Sequence, residues 1–294
     1  MEELIKYFYN IEIDEYKEEK GTYILRSLIN VYVFKKIKSN KEEFERVIEN
    51  CIANNVRFYK VLLNKEKSIF TKFNEEDYVL MEVQRVKEVV DLNLLNIHSN
   101  NTPSIFLKDK WSQKVDFFIK QIYEFGTEKK ELIKIANYYI GLAENAISVY
   151  NDAIREGNYR CAIQHKRMYY PNYAINYYDP TKMVIDCITR DYAEYYKTKL
   201  IKSSLKKEEI LSFIEKNNFT LSEIKMFFAR MLYPTYFFDY FEKEIINPEF
   251  NEENLKKIVN KNQAYLNILM ELVKIISKKY NLNKILWIKK ELQN

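Results

Sequence analysis

Glycine and proline are scarce in this chain of 294 residues, which holds 4 glycines and 5 prolines. Tight turns depend on these two residue types, because glycine tolerates positive φ angles and proline presets the φ angle of a turn. Their scarcity favours long helices and argues against an all-β fold rich in tight turns. It also argues against a glycine-rich loop of the kind that lets a backbone approach phosphate groups closely.

Cysteine is also rare and gives no sign of a metal site. Cys51, Cys161 and Cys187 are odd in number, far apart and set among apolar residues. The sequence has no Cys-x-x-Cys pair and no cysteine–histidine cluster that would suggest zinc. This pattern is typical of reduced, partly buried thiols in a cytosolic compartment.

Long apolar runs are missing as well. No window approaches the ~18 consecutive apolar residues of a membrane-spanning helix. The first ten residues, MEELIKYFYN, are charged and amphipathic and lack the apolar core of a signal peptide. We therefore expect neither a membrane span nor a signal peptide.

Neither sign of charge dominates the chain. Lys and Arg number 47 against 42 Asp and Glu, which gives a net charge of +5 with the two signs interleaved. Proteins that bind nucleic acid usually concentrate basic charge on one face, so we expect no nucleic-acid partner. Hydrophobic residues make up 47% of the chain, enough for a large globular core.

The periodicity of apolar residues changes along the chain and predicts three segments. Residues 1–84 form a small lobe of sheet plus helix, 85–105 a linker, and 106–294 a helical lobe. The linker contains Ser99–Ser104, whose small polar residues and proline cannot continue a helix. The small lobe is predicted to have helices at about 2–9 and 41–54 and strands at 11–16, 22–26, 30–37, 57–63, 68–73 and 78–83. The large lobe is predicted to have helices at 111–125, 129–155, 191–200, 207–217, 221–246 with a break at Pro234, 254–280 and 282–292.

The stretch Cys161–Lys197 carries the most informative pattern. His165 is followed seven residues later by Asn172, and a short apolar run ends in Asp186. This spacing is typical of a kinase phosphotransfer site, where an Asp two residues after the histidine orients and deprotonates the attacking hydroxyl. Arg167 stands at that position, and a guanidinium cannot act as a base at ordinary pH. The frame of the site is therefore present without its catalytic base.

Asn172 and Asp186 are the predicted oxygen ligands for Mg²⁺. Asp186 is the stronger candidate, because it ends an apolar strand where a carboxylate is otherwise uncommon. A structural explanation stays open for each residue, since Asp186 could cap a helix or turn and Asn172 could be a turn residue after Pro171.

Lys35 is the candidate for nucleotide binding. It lies on the predicted third strand, from which a lysine can reach nucleotide phosphates. Glu45 of the following helix is its predicted ion-pair partner, with Glu49 as an alternative. The adjacent Lys36 leaves the choice of lysine open, and a lysine on a strand is commonly a solvated edge residue.

His165 and Asp191 are assigned structural roles. We expect His165 to brace its loop by hydrogen bonding, and Asp191 to be the N-cap of the helix that begins there. Five tyrosines near this loop either pack it, which we favour, or form an aromatic contact surface. They are Tyr169, Tyr170, Tyr173, Tyr177 and Tyr178.

Several stretches together resemble one known family. They are Asn137–Ile147, His165–Arg167, Val184–Asp186, Arg190–Tyr195 and Arg230–Asp239. They are similar to the spore-coat proteins of the CotS/YutH type from endospore-forming Firmicutes, a family whose fold is similar to that of aminoglycoside and choline kinases. The resemblance is strongest from about Trp111 to Tyr240 and weak in the first lobe.

The resemblance implies an α+β, mostly helical fold of two lobes, like protein kinases and aminoglycoside phosphotransferases. It implies ATP and Mg²⁺ as cofactors at Lys35, Asn172 and Asp186, although the kinase-like site is degenerate in the YutH branch. It further implies a protein of the mother-cell cytoplasm that joins the spore coat and has other coat proteins as partners.

Two hypotheses of function follow. The first is a catalytically impaired kinase-like protein, a pseudokinase, with a structural or interaction role in spore assembly; Arg167 and the missing glycines favour it. The second is an active Mg-ATP-dependent small-molecule phosphotransferase of the aminoglycoside or choline kinase type. In that case Arg167 would clamp an anionic group, and the base would be supplied elsewhere. Asp179 is the nearest carboxylate outside the expected position, but nothing in the sequence brings it to the substrate.

Overall fold

A computed structural model of the chain describes residues 1–83, 88–90, 98–99, 107–125, 129–202, 206–247, 249 and 251–280. The chain divides into two compact units. The first consists of Met1–Asn101, Ala162–Arg167 and Pro171–Ile185. The second consists of Thr102–Cys161, Met168–Tyr170 and Asp186–Asn294. The predicted linker at 85–105 and the predicted last helix at 282–292 fall largely or wholly outside the described residues.

The first unit is built on an antiparallel sheet. Its strands are β1 (Glu15–Glu19), β2 (Thr22–Arg26), β3 (Val31–Lys36), β4 (Lys60–Val61), β5 (Thr71–Phe73) and β6 (Glu76–Val83). The order within the described part is β1-β2-β3-β6-β4, and β5 also pairs with β6. Two helices, α1 (Glu2–Tyr9) and α2 (Lys41–Ala53), belong to the same unit.

One face of this sheet carries the apolar core with α1. Ile5 of α1 is fully buried in a cluster with Leu25, Phe34 and Leu80 from three neighbouring strands. The ring of Phe34 stacks on that of Tyr78 at 4.8 Å between centroids. Burying one such side chain stabilises the folded state by about 1.5–3 kcal/mol. The centre of the sheet is therefore fixed by β2, β3 and β6.

The first predicted strand is displaced in the structure. The alternation of Ile11 and Ile13 predicts a strand at 11–16, but β1 runs from Glu15 to Glu19. Ile11 and Ile13 are partly buried hydrophobics that pack against the Ile5 cluster, so core packing and not strand pairing explains their alternation. All five residues of β1 are exposed, and the strand is held by its ladder with β2.

A short sheet and two helical turns follow in the chain. The strands β7 (His98–Ser99), β8 (Cys161–His165) and β9 (Met183–Cys187) pair in the order β7-β8-β9. Between β8 and β9 lie the four-residue helix α5 (Ala174–Tyr177) and a 3₁₀ turn (Pro180–Lys182). Asp179 caps that turn, because its side chain accepts a hydrogen bond from the Thr181 N–H.

The second unit is helical. Its described helices are α3 (Leu107–Phe125), α4 (Lys130–Glu156), α6 (Arg190–Lys202), α7 (Lys207–Lys216), α8 (Leu221–Leu232), α9 (Thr235–Glu244) and α10 (Glu252–Tyr280). At the centre lies α8, which packs against α4 and α6 and buries every residue from Ser222 to Leu232. Pro234 separates α8 from α9, as the sequence predicts, because proline cannot donate to a continuing helix.

The predicted fold class, α+β and mostly helical with two lobes, is confirmed. The three cysteines are buried and unpaired, and burial raises the pKa of each thiol to about 12. Over the part of the chain that the structure describes, no helix is both long and apolar enough to cross a membrane.

Candidate functional site

A cavity of about 210 Å³ lies in the first unit. One wall comes from β1, β2, β3 and β6, and the other from the segment between β8 and β9. Its lining is mostly apolar with two carboxylates and two amines: Glu19, Thr22, Ile24, Val33, Lys35, Tyr59, Met81, Val83, Ile175, Asp179 and Lys182. A concave, mainly apolar site with few polar groups is the usual form of a small-molecule pocket.

The polar end of this cavity is an ion pair between Lys35 and Asp179. Lys35 Nζ lies 2.6 Å from Asp179 Oδ2, and Lys182 Nζ lies 3.9 Å from the same oxygen. The other oxygen, Oδ1, accepts hydrogen bonds from the N–H and hydroxyl of Thr181 at 2.9 and 2.6 Å. Asp179 is 5% exposed, so both oxygens are held by this chain's own groups in a setting with little water.

The two lysines at the end of β3 are separated by the pleat of the strand. Lys35 lines the cavity, whereas Lys36 is more exposed and pairs with Glu76 at 2.7 Å. Successive side chains of a strand point to opposite faces, which accounts for the difference. Glu45, the predicted partner of Lys35, is exposed on α2, as is Glu49, and the structure pairs Lys35 with Asp179 instead.

Tyr59 lines the cavity and carries a buried hydroxyl. The residue is 5% exposed, and its hydroxyl has no hydrogen-bond partner among the described residues. Burial raises the pKa of this hydroxyl, and the negative charge of Asp179 raises it further. A buried donor without a partner costs stability unless a ligand or water satisfies it.

The end of β8 and the segment that follows it contain the residues of the histidine motif. His165 is buried, and its Nε2–H donates a 2.8 Å hydrogen bond to the carbonyl of Tyr177 at the end of α5. Arg167, two residues on, is exposed. Asn172 is buried, and neither its side-chain oxygen nor its nitrogen has a partner in the described chain. The amide of Asn172 is thus buried with its hydrogen-bonding capacity unused in the described chain.

The five tyrosines near this loop differ in burial, and Tyr170 is intermediate. Tyr177 and Tyr178 are buried, and the ring of Tyr177 lies 4.8 Å from that of His165. Tyr169 and Tyr173 are 48% and 44% exposed. Packing, the favoured expectation, therefore describes the first two, while the second two present much of their surface to solvent.

Asp186 lies at the end of β9 in the second unit and is fully engaged by neighbouring groups. Its Oδ2 accepts from Arg190 Nη1 at 2.5 Å and from Arg230 Nη2 at 2.7 Å, and its Oδ1 accepts from the Cys187 N–H at 2.6 Å. Burial alone would raise the pKa of this carboxyl. The charges of Arg230 and Arg190 and the Cys187 hydrogen bond outweigh burial and lower the pKa.

Arg230 extends this contact into a buried charge network. Its Nη1 lies 4.0 Å from Glu194 Oε1, and Lys197 Nζ lies 3.8 Å from the same atom. The guanidinium also lies over the rings of Trp111 and Tyr150, 5.8 and 6.0 Å from their centroids. Arginine suits such a site, because its planar head can stack on aromatic rings while it binds carboxylates.

Asp191 lies inside this region but does not begin the helix. The helix α6 starts at Arg190, so Asp191 falls in its first turn, where a carboxylate interacts favourably with the helix dipole. The residue is 3% exposed. The sequence placed the helix start one residue later and gave Asp191 the N-cap position.

The predicted magnesium ligands are described in different units, with Asn172 in the first and Asp186 in the second. As arranged here, Asp186 does not fit Mg²⁺, because two guanidinium groups already neutralise its charge and occupy Oδ2. No cluster of three or more His, Cys, Asp or Glu side chains suited to a metal occurs in the described ranges. Sequence reasoning missed Arg230 as a partner of Asp186, although its stretch was among those resembling the spore-coat family.

A known family matches most of the second unit. The family model described as "Spore coat putative kinase YutH" matches residues 106–272, more than half of the chain. The chain belongs to this family. Endospore coat-associated protein YutH of Bacillus subtilis strain 168 is 26% identical over 209 residues, which cover 62% of this chain and 61% of that protein. The match thus spans about three fifths of the curated relative, and the predicted resemblance is confirmed.

A solved structure shows the same fold. An aminoglycoside phosphotransferase from Alicyclobacillus acidocaldarius superposes with a TM-score of 0.60 at 10% identity, covering 90% of this chain and 93% of that one. Choline kinase LicA from Streptococcus pneumoniae gives a TM-score of 0.47 at 12% identity, covering 91% and 97%. The first likeness establishes an aminoglycoside-phosphotransferase-like fold, and the second is too distant to add to it.

Proposed function

We propose that this protein is a kinase-like, spore-coat-associated protein that does not transfer phosphate and that acts in coat assembly through contacts with other coat proteins. The observation that carries the loss of catalysis is the state of Asp186. The carboxylate at the metal position of a kinase site is here the shared acceptor of two buried arginines.

Binding of Mg²⁺ at Asp186 would have to displace these arginines. A metal ligand must offer a free lone pair, and Oδ2 already accepts from Arg190 and Arg230. Both guanidinium groups are buried, and removing the partner of a buried charge typically costs about 3–5 kcal/mol. The metal would also bring two further positive charges to the same carboxylate. Structural pairing of Asp186 thus competes directly with metal binding.

Two other features support the same proposal. Arg167 occupies the position of the catalytic base, and no ordinary pH makes arginine a proton acceptor. The loop between β1 and β2, where a kinase fold places its glycine-rich cover, consists of Lys20 and Gly21 alone. Two residues cannot wrap a triphosphate.

Nucleotide binding without turnover is part of this proposal. The cavity of the first unit keeps an apolar wall that suits the ring of a nucleotide. A degenerate kinase that binds a nucleotide can use it to favour one conformation over another. The family and the Bacillus subtilis relative support the spore coat as the location and coat proteins as partners, and the proposal extends the location to the mother-cell cytoplasm.

One observation favours the alternative of an active small-molecule phosphotransferase. The buried amide of Asn172 has no hydrogen-bond partner in the described chain, as expected of a residue that awaits a ligand. The alternative requires Asp186 to leave its arginines when substrate binds.

Transfer of labelled phosphate from Mg-ATP to aminoglycosides and choline tests the proposal. We expect the purified full chain to give no product, with an active choline kinase as the positive control. The variant Arg167→Asp, which restores a carboxylate at the base position, should remain inactive because Asp186 stays paired. Product from the unaltered chain would refute the proposal, and product from Arg167→Asp alone would show that the missing base, not the pairing of Asp186, is the only defect.

A further inference from the structure

The charged groups that line the cavity of the first unit balance in number, and Asp179 is the carboxylate that pairs with its amines. Lys35 and Lys182 contribute two positive charges, and Asp179 and Glu19 contribute two negative ones. Asp179 lies against both amines, at 2.6 and 3.9 Å. The contact with Lys35 takes the place that a phosphate oxygen would take on an open lysine.

The chain positions Asp179 rigidly for this contact. Its Oδ1 is held by the N–H and hydroxyl of Thr181 in the 3₁₀ turn, which leaves Oδ2 aimed at Lys35. Burial lowers the pKa of Lys182, and the charge of Lys35 lowers it further, so the two amines are close enough to repel each other. Asp179 relieves that repulsion, and an incoming polyphosphate would have to displace a carboxylate that is itself well bonded.

The remaining wall suits an uncharged ligand. Ile24, Val33, Met81 and Val83 are apolar, and Tyr59 is a further lining residue. A neutral heteroaromatic ring would bury its faces on these aliphatic side chains. No charge needs to be displaced for such a ligand to enter.

We propose that Asp179 is a built-in anion that closes the lysine site of this cavity, so that the cavity selects an uncharged nucleoside-like ring over a polyphosphate. The inference rests on one part of the proposed function, namely that this cavity still binds nucleotides. It goes beyond that function by naming the residue that excludes phosphate and the class of ligand that is accepted.

Calorimetric titrations without divalent metal separate this inference from the question of catalysis, which the phosphotransfer assay answers. The probes are adenosine and inorganic tripolyphosphate, and the main variant is Asp179→Asn. Asparagine keeps an oxygen for Thr181 but lacks the charge that holds Lys35. We expect Asp179→Asn to bind tripolyphosphate at least tenfold more tightly than the unaltered chain, while its affinity for adenosine changes less than threefold.

Three further variants make the outcome decisive. Asp77→Asn is the matched control. Asp77 pairs with Lys41 at 2.8 Å in the first unit, and neither residue lines the cavity, so this variant should bind tripolyphosphate no more tightly than the unaltered chain. Adding Lys35→Met to Asp179→Asn should abolish the gain. If Asp179→Asn unfolds, Asp179→Ser retains a capping oxygen and replaces it. The inference is wrong if folded Asp179 variants gain no affinity, if Asp77→Asn gains as much, if the gain survives Lys35→Met, or if the unaltered chain fails to bind adenosine.

Discussion

At Asp186 a single carboxylate balances two buried guanidinium groups, so its removal should cost far more stability than the loss of an exposed ion pair. We predict that Asp186→Ala lowers the free energy of unfolding by about 3–5 kcal/mol, because Arg190 and Arg230 would stay buried without this partner. Urea unfolding monitored by circular dichroism measures the change. Asp152→Ala, which breaks the exposed pair with Arg155, is the control and should cost under about 1 kcal/mol.

The same variant distinguishes a structural Asp186 from a metal ligand. A carboxylate that serves only to bind a metal usually does not stabilise the metal-free fold. Replacing it then changes the urea midpoint little. A midpoint for Asp186→Ala equal to that of the unaltered chain would therefore contradict the pairing described here and revive the metal assignment.

The charge on Asp186 also gives stability a dependence on pH. Because the folded-state pKa of Asp186 is lowered from 3.8, its contribution is complete above about pH 4 and is lost as pH falls through the lower folded value. Glu223, whose pKa is lowered from 4.5 by hydrogen bonds that outweigh burial, acts in the same direction. We expect the urea concentration at the unfolding midpoint, measured from pH 7 down to pH 3, to decrease once the pH is lower than about 4 to 5. The decrease should be less steep in Asp186→Asn. If the urea midpoint declines equally with pH in Asp186→Asn and the unaltered chain, Asp186 does not contribute to the pH dependence of stability.

At the scale of elements, the start of α8 depends on Glu223. Thr220 and Glu223 form a capping box. The carboxylate of Glu223 also accepts hydrogen bonds from Arg160 Nε and Nη2, both at 2.7 Å. We predict that Glu223→Ala lowers the free energy of unfolding by about 2 kcal/mol or more, since a cap and a two-point ion pair are lost together. Urea unfolding tests this prediction, and Glu209→Ala, which breaks the exposed pair with Lys199, should have a clearly smaller effect.

The hairpin between β1 and β2 offers a second test at this scale. Lys20 and Gly21 have φ angles of 52° and 73°, as in a two-residue turn that favours Asn-Gly. We predict that Gly21→Ala destabilises the protein by about 1 kcal/mol, because a Cβ at this φ is strained even though space is open. Lys20→Asn should raise thermal stability slightly. Equal melting temperatures for the two variants would speak against this turn.

Sequence patterns predicted the elements whose cause is local. The 3.6-residue spacing in Lys41–Ala53 and the break at Pro234 are both found in the structure. The edge strand β1 was misplaced because its five residues are all exposed and carry no apolar alternation. The pairs that define the site join distant positions: Lys35 and Asp179 are 144 residues apart, and Asp186 and Arg230 are 44 apart. No spacing rule within one element reaches that far, so Glu45 was chosen as the partner of Lys35 and Arg230 was given no role.

At the scale of the whole molecule, each of the two units contains a charge cluster that is bonded within the chain, at the residues proposed for the phosphate and metal positions of a kinase site. In the first unit Asp179 holds Lys35, and in the second Arg190 and Arg230 hold Asp186. Each cluster is bonded without any ligand, so the folded chain requires neither phosphate nor metal to neutralise these groups. We therefore expect the ring of a nucleotide to stabilise the folded chain, and its phosphates and metal to add no further stability.

Thermal unfolding of the full chain with adenosine, ATP and Mg-ATP measures this separation. A ligand that binds only the folded state stabilises it by about 2.7 kcal/mol at a hundredfold excess over its dissociation constant. We predict that adenosine raises the melting temperature, that ATP raises it no more than adenosine does, and that Mg²⁺ adds nothing. In Asp179→Asn, ATP should raise the melting temperature more than adenosine does, because the amine of Lys35 can then bind phosphate. A rise with ATP that requires Mg²⁺ in the unaltered chain would mean that a metal takes part in nucleotide binding. The pairing of Asp186 would then no longer be an argument against catalysis, and the labelled-phosphate assay alone would decide whether phosphate is transferred.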